Sequence, residues 1–464
     1  MLRREFLAAA SLFAAPQRKW NFVVMLIDDY GWRDSSCYGS TYYETPNLDA
    51  LAREGVRFTN AYAACPVCSP TRASILTGKY PARLKLTDWI PGRKQWPSAR
   101  VLTPSFEQAL PLKEDTLAEL LAPAGYVSAS IGKWHLGGAG NLPMDQGFGL
   151  NYGGTDKGSP PSYFPPYRIP GVDAASSDEY LDENLTNRAI RFLDESRGKP
   201  FFLYLPHYSV HLPFGGKPAL IDKYRRKPNP QGDARYAAMI ETMDSSIGRL
   251  RAALKERQLA DHTVFIFLAD NGGLRYEGKS PQPVTSNAPL RAGKGHLYEG
   301  GIRVPFVVHW PGVTKPGHVS DQPISTVDIL PTIARAAELP TPSDGVDLAP
   351  ALRGGKLKRE ALYWHYPHYS NQGGAPGAAI RQGDFKLIHF YEDDRVELYN
   401  LRDDLGETRN LAQRLPAKAR ELRQKLDRWR AEVVAVLPKP NPAYDPATAD
   451  QGLTGVERPT FPLE

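Results

Sequence analysis

The chain has 464 residues, 41% of them hydrophobic and 23% charged, with a formal net charge of +6. That length buries a sizeable core and divides into a large and a small domain. The mild positive charge suits an anionic substrate but lacks the dense basic runs of a nucleic-acid binder, and three cysteines exclude a disulfide framework.

Taken from the start, Arg3-Arg4-Glu5-Phe6-Leu7 leads into an apolar stretch that ends near Ala15. The basic opening and short apolar core read residues 1–18 as an export signal, too short to span a bilayer. The paired arginines resemble a twin-arginine signal, which implies a bacterial periplasmic or secreted address without stable membrane insertion. No later segment is long and apolar enough to span. The 42 prolines and 40 glycines point to long structured loops of the kind that build sites.

Residues 21–27 form a nearly continuous apolar run, the pattern of a strand buried on both faces of a parallel sheet. It ends in Asp28-Asp29, two adjacent carboxylates that repel unless a cation lies between them, or that simply cap a solvated turn. A helix over 46–54 and a short strand over 56–58 follow. Then comes Cys68-Ser69-Pro70-Thr71-Arg72, closed by Leu76-Thr77-Gly78. Pro70 suits a first helical position, which sets residue 68 over free backbone N–H groups beside Arg72. The bland alternative is a small buried cysteine before an ordinary helix.

A helix over 114–122 and a strand over 126–131 lead into Gly132-Lys133-Trp134-His135-Leu136-Gly137. Lys133 and His135, two apart, share one side of an extended chain. A helix over 180–196 and a strand over 200–205 precede His207 and His211, the latter in His211-Leu212-Pro213. A helix over 236–256 and a strand over 263–268 precede Asp270 and Asn271, and Lys294 sits in the glycine-rich Gly293-Lys294-Gly295-His296. Asp28/Asp29, Lys133/His135, His211 and Asp270/Asn271 thus each follow an apolar strand. In open α/β sheets sites form outside the carboxyl ends of strands, so these four segments converge in one crevice. The fold class is therefore α/β, a large mostly parallel central sheet flanked by helices over 19–355. A smaller α+β subdomain of antiparallel strands and one helix (416–434) occupies 356–464, its tail extended from Leu437.

Cys68-Ser69-Pro70-Thr71-Arg72 with Leu76-Thr77-Gly78 resembles the signature of the type I sulfatases of the alkaline phosphatase superfamily. Gly132 to Gly137 and the segment around Lys294 are similar to that family too. The resemblance implies oxidation of Cys68 to formylglycine by a maturase, with the hydrated aldehyde as nucleophile. It also implies Arg72, Lys133, His135, His211 and Lys294 as catalytic residues. The metal set is Asp28, Asp29, Cys68, Asp270 and Asn271, an oxygen-rich group suited to a hard divalent cation, Ca2+ by resemblance or Mg2+.

The pocket wall is expected from 87–96, 151–167 and the aromatic- and histidine-rich 363–369, with His207, His365 and His368 as substrate contacts. Aromatic faces beside polar donors suit a sulfated glycan. The alternatives are a phosphonate monoester or phosphodiester hydrolase on the same core, or a sulfated-glycan-binding protein without catalysis. Cys37 and Cys65 are left with no pairing decided.

Overall fold

The computed structural model describes residues 19–95, 97–276, 283–339 and 341–448. The expected export signal, Trp96 and the end of the tail lie outside the described residues. Strand β1 (Asn21–Ile27) is buried along its whole length. Its alternation serves two cores: Val23, Met25 and Ile27 pack on one face of the sheet, Phe22, Val24 and Leu26 on the other. A strand apolar on both faces needs cover on both, and that requirement sets the layers.

The sheet continues with β2 (Val56–Phe58), β3 (Val127–Ile131), β4 (Leu150–Tyr152), β5 (Phe201–Pro206), β6 (Thr263–Ala269), β7 (Phe306–His309) and β8 (His318–Ser320). Its spatial order is β8-β2-β7-β6-β1-β5-β3-β4. All neighbours pair in parallel except β7, which runs antiparallel to β2 and β6. Helices α1 (Cys68–Thr77) and α4 (Ile329–Ala336) cover one face, and α2 (Leu181–Glu195) and α3 (Ala234–Glu256) the other. The predicted helix over 114–122 is shorter, Leu117–Leu121, because Thr116 and Glu119 form a capping box that fixes its start.

A second, antiparallel sheet runs in chain order through β9 (Leu362–Tyr366), β10 (Gly377–Gln382), β11 (Phe385–Phe390) and β12 (Val396–Asn400). One face packs Ile380, Leu387 and Leu398 against Leu422, Leu426 and Trp429 of α5 (Pro416–Glu432). The other packs Trp364, Ile388 and Tyr399 against Tyr62, Leu297 and Ile302 of the larger layer. Strand β9 falls in the stretch expected only to wall the pocket. Beyond Leu437 the tail is not free: Lys439–Pro440 pairs antiparallel with residues Val101 and Leu102. Cys37, Cys65 and Cys68 are all free thiols. Among the described residues no helix is long and apolar enough to cross a membrane.

Candidate active site

Strands β1, β3, β5 and β6 run in one direction, so their carboxyl ends open on the same edge of the sheet. The segments leaving them interlock through the backbone. The Asp270 amide donates to the Ile27 carbonyl (3.1 Å), the His207 amide to Leu26 (2.9 Å), and the Asp28 amide to Ser209 (2.9 Å). Asp28 and Asp29 follow β1 directly and are buried, Asp29 with a left-handed backbone at φ 57°.

Helix α1 begins at Cys68 itself after Val67, so Pro70 is its third residue rather than its first, and all ten residues are buried. Its Arg72 side chain, fully enclosed, donates from Nε to Asp270 Oδ2 (2.9 Å) and from Nη1 to the Lys133 carbonyl (3.0 Å). Arg72 Nη2 also lies 2.8 Å from Asp270 Oδ2 and 3.7 Å from Asp28 Oδ2. Beyond β3, Gly132 has φ 121° and approaches β5 so closely that a Cβ would stand 2.0 Å from the Pro206 carbonyl oxygen. No other residue fits there, and the approach lets the Lys133 amide donate to that carbonyl (2.7 Å). Lys133 and His135 do converge, but through a left-handed turn at His135 (φ 57°) instead of an extended strand.

The ionic core is dense. Lys133 Nζ binds Asp28 Oδ2, and Lys294 Nζ lies 2.7 Å and 2.9 Å from the two Asp29 oxygens. His211 Nε2 stands 3.6 Å from Asp29 Oδ2, and its Nδ1 is 3.1 Å from the Leu212 carbonyl. His135 Nδ1 is 3.4 Å from Cys68 Sγ. Burial opposes the charge of Asp28 and Asp29, yet Lys133, His211 and Arg72 on the first and Lys294 and His211 on the second hold both carboxyls below the usual range. Asp270 goes the other way, pushed up by burial and by Asp28. Burial and the neighbouring lysines keep His135 and His211 below the ordinary histidine value, and burial raises the Cys68 thiol. His211 and Lys294 are more exposed than the other residues of this cluster, with side chains at 17% and 8%, so they mark the mouth of the site.

These residues fit a hard divalent cation. Asn271 Nδ2 donates to Asp29 Oδ1 (2.8 Å) and to the Gly272 carbonyl (3.0 Å), and Asn271 Oδ1 has no donor among the described residues. Asp28 Oδ1 is likewise buried without a donor among the described residues. Asp28, Asp29 and His211 bring ligand atoms within 4.8 Å of one another. Asp28, Asp29 and Asp270 are matched by the charges of Arg72, Lys133 and Lys294. An added divalent ion would leave the site positive, ready for an anionic ester.

Three expectations fail. His207 is fully buried with its Nδ1 3.5 Å from Asp182 Oδ1, so it is not open to a substrate at the surface. His365 is spent within the small sheet, its Nδ1 2.7 Å from Tyr391 Oη and its Nε2 3.0 Å from the Val436 carbonyl. His368 is buried with Nε2 on Thr87 Oγ1 (2.8 Å), so it ties down the start of the 87–93 loop. All three are buried.

The reading of the sequence also missed Asp34. Its carboxylate accepts from the Gly31 amide (3.0 Å), Tyr236 Oη (2.6 Å) and Thr285 Oγ1 (2.7 Å), and Tyr236 Oη reaches the Asp29 carbonyl (3.2 Å). Its side-chain partners Tyr236 and Thr285 lie 202 and 251 residues away, so no local pattern announces it. Burial pushes Asp34 up to about 6 against these hydrogen bonds. The folded chain therefore holds this proton more tightly than the unfolded one. The stability it contributes is complete below about pH 4 and is lost as pH rises through about 6. Urea midpoints of the wild type minus those of Asp34→Asn are expected to fall across that window and level off above it. A difference that stays flat with pH would show that the buried charge carries no cost.

Comparison with known proteins completes the picture. The sequence profile described as Sulfatase matches residues 20–339, and the profile described as N-sulphoglucosamine sulphohydrolase, C-terminal, matches 292–432. A sulfatase of Formosa agariphila is 31% identical over 518 aligned residues, covering 92% of each chain. Human N-acetylgalactosamine-6-sulfatase is 35% identical over 76% of this chain and 69% of its own. The crystal structure of Ps i-CgsB in complex with k-i-k-neocarrahexaose superposes with a TM-score of 0.76. It is 26% identical and covers 92% of this chain and 95% of that one.

Proposed function

The chain belongs to the sulfatase family and hydrolyses sulfate esters, and we propose that it does so on a sulfated carbohydrate, with formylglycine made from Cys68 as nucleophile. The observation that carries this reading is the Cys68–His135 contact of 3.4 Å inside a buried set of three carboxylates and three cations. The family is generally metal-dependent, and Asp28, Asp29, Asp270, Asn271 and the residue-68 side chain are the proposed ligands, for Ca2+ ahead of Mg2+. When bound, the ion supplies Lewis acidity to a sulfate oxygen, and the hydrated aldehyde supplies the attacking hydroxyl and a second one.

The chain's own residues do the rest. Arg72, Lys133 and Lys294 neutralise the sulfate oxygens as charge shifts onto the leaving group. His211 at the mouth, together with Lys294, which shares Asp29 with it, serves the departing alcohol oxygen as its source of a proton. His135 Nδ1 takes the proton of the second hydroxyl at residue 68, which releases sulfate. Recognition of sugar is supported by the names of similar proteins: one relative is an N-acetylgalactosamine-6-sulfatase, and Ps i-CgsB is bound to a neocarrahexaose. Hydrolysis of phosphonate monoesters or phosphodiesters on the same core is not favoured, since the relatives 31% and 35% identical to the chain are sulfatases. Export by the amino-terminal signal and oxidation by a formylglycine-generating maturase complete the proposal.

The test is peptide mass spectrometry across residue 68 in protein co-expressed with such a maturase. Conversion of the thiol to the aldehyde appears as a loss of about 18 Da. A thiol that persists beside a competent maturase sinks the nucleophile. On converted enzyme, kcat/KM for a sulfated oligosaccharide is expected to exceed that for an aryl sulfate by about tenfold or more. The reverse order sinks the carbohydrate reading.

A further inference from the structure

We propose that Asp88 and Tyr366 are positioning residues which, through the backbone carbonyl of Ile90, hold His135 in the one tautomer and orientation that leaves Nδ1 free to face residue 68. The small antiparallel sheet would then be part of the reaction machinery. The inference rests on the reaction proposed above for what that histidine does, but its geometry stands independently.

His135 has two ring contacts. Nε2 lies 2.6 Å from the Ile90 carbonyl oxygen, and Nδ1 lies 3.4 Å from Cys68 Sγ. A carbonyl only accepts, so Nε2 carries the hydrogen and Nδ1 presents its lone pair to residue 68. The imidazole has little freedom to leave this pose. It is 2% exposed, and Gly158 lies so close that a Cβ there would stand 2.5 Å from Cε1.

The short loop that carries the Ile90 carbonyl is held from two sides. On one, the Ile90 amide donates to Ser69 Oγ (3.2 Å), in the first turn of α1 beside Cys68. On the other, Asp88 Oδ1 accepts from the Trp89 amide (2.9 Å) and from Tyr366 Oη (2.9 Å), where β9 ends. Asp88 is 1% exposed and Tyr366 is buried with it. Thr87 on His368 (2.8 Å) and Arg93 Nη1 on the Ser370 carbonyl (3.1 Å) tie the same loop to the chain just after β9. A buried carboxylate that loses its tyrosine donor shifts toward the donors that remain, here the Trp89 and Arg93 amides of the same loop, and moves that loop with it. The next oxygen along the loop that matters is the one on which His135 rests.

Two measurements test the proposal, the first on unconverted protein so that it does not depend on formylglycine. Long-range 1H–15N spectra of histidine-labelled protein are expected to show His135 protonated at Nε2 with a proton protected from exchange. In Tyr366→Phe, and more strongly in Asp88→Asn, that proton should exchange with water. The second is a double-mutant cycle on converted enzyme. Tyr366→Phe is expected to lower kcat about tenfold with KM within about twofold, and to cost almost nothing further in a His135→Ala background. An Nδ1-protonated His135 overturns the proposal whatever the enzyme turns over. So do unchanged spectra in both variants, or Tyr366 effects that simply add to His135→Ala, since a purely structural bond would lower stability without moving either readout. Loss of the sulfatase reading alone, with the spectra as expected, would leave the positioning role in place.

Discussion

Cys68→Ala is expected to lower sulfate ester hydrolysis by about ten-thousandfold or more while leaving the protein folded and able to bind its substrate. The reason is local. The Cys68 side chain is buried in the first turn of α1, and its polar neighbour at 3.4 Å is His135 Nδ1. Removing one sulfur atom leaves the ion pairs of Arg72 with Asp270, Lys133 with Asp28 and Lys294 with Asp29 intact. The charge that attracts the ester thus survives when the atom that attacks sulfur is gone. Titration calorimetry of the variant with a sulfated oligosaccharide should give an affinity close to the wild-type KM. Residual turnover within tenfold of wild type would place the nucleophile elsewhere, and lost binding would show that residue 68 holds the site together.

Much of this site was legible in the sequence, for a physical reason. Residues that follow an apolar strand in a parallel sheet are carried to a common edge by the fold itself, so Asp28, Lys133, His211 and Asp270 could be grouped from four strand ends. Side-chain direction was not legible. His207, His365 and His368 sit in plausible segments but turn into packed interiors, and a sequence does not tell an enclosed imidazole from an exposed one. Helix onset at Cys68 was misjudged because Pro70 is tolerated anywhere in a first turn, where the missing N–H has no partner to lose. Lys133 and His135 were grouped from an extended geometry that the chain does not adopt. Asp34 was not singled out, and Asp88 was covered only by the 87–96 stretch read as pocket wall. Each is a single carboxylate whose decisive partners, Tyr236 and Tyr366, lie 202 and 278 residues away.

The second large effect lies at the junction of the two sheets. Lys386→Met is expected to cost about 3–5 kcal/mol of stability, read as a lowered urea midpoint. Lys386 Nζ, on β11, lies 2.9 Å from Glu299 Oε1 and 2.8 Å from Glu407 Oε1, and all three side chains are fully buried. Burial raises both carboxyls, but Lys386, Arg303 and Arg381 pull Glu299 down to about 2, while burial and Glu299 push Glu407 up to about 7. Without the lysine the two acids face each other across a dry interior. Glu299 would keep Tyr62 Oη (2.7 Å) and Arg303 Nη1 (3.2 Å), and Glu407 would be the uncompensated member. Adding Glu407→Gln to Lys386→Met should therefore recover much of the loss, whereas adding Glu299→Gln should not. The strain would also reach the chemistry. Glu299 opens the short helix Glu299–Ile302, five residues after Lys294, and Gly300 in it approaches Gly272 so closely that a Cβ on Gly272 would stand 1.8 Å from the Gly300 carbonyl oxygen. Asn271 is the next residue. Lys386→Met should accordingly weaken turnover as well as folding, with the double variant restoring both together. Recovery of stability without recovery of turnover would show that the junction holds the sheets together but does not set the position of Lys294 and Asn271.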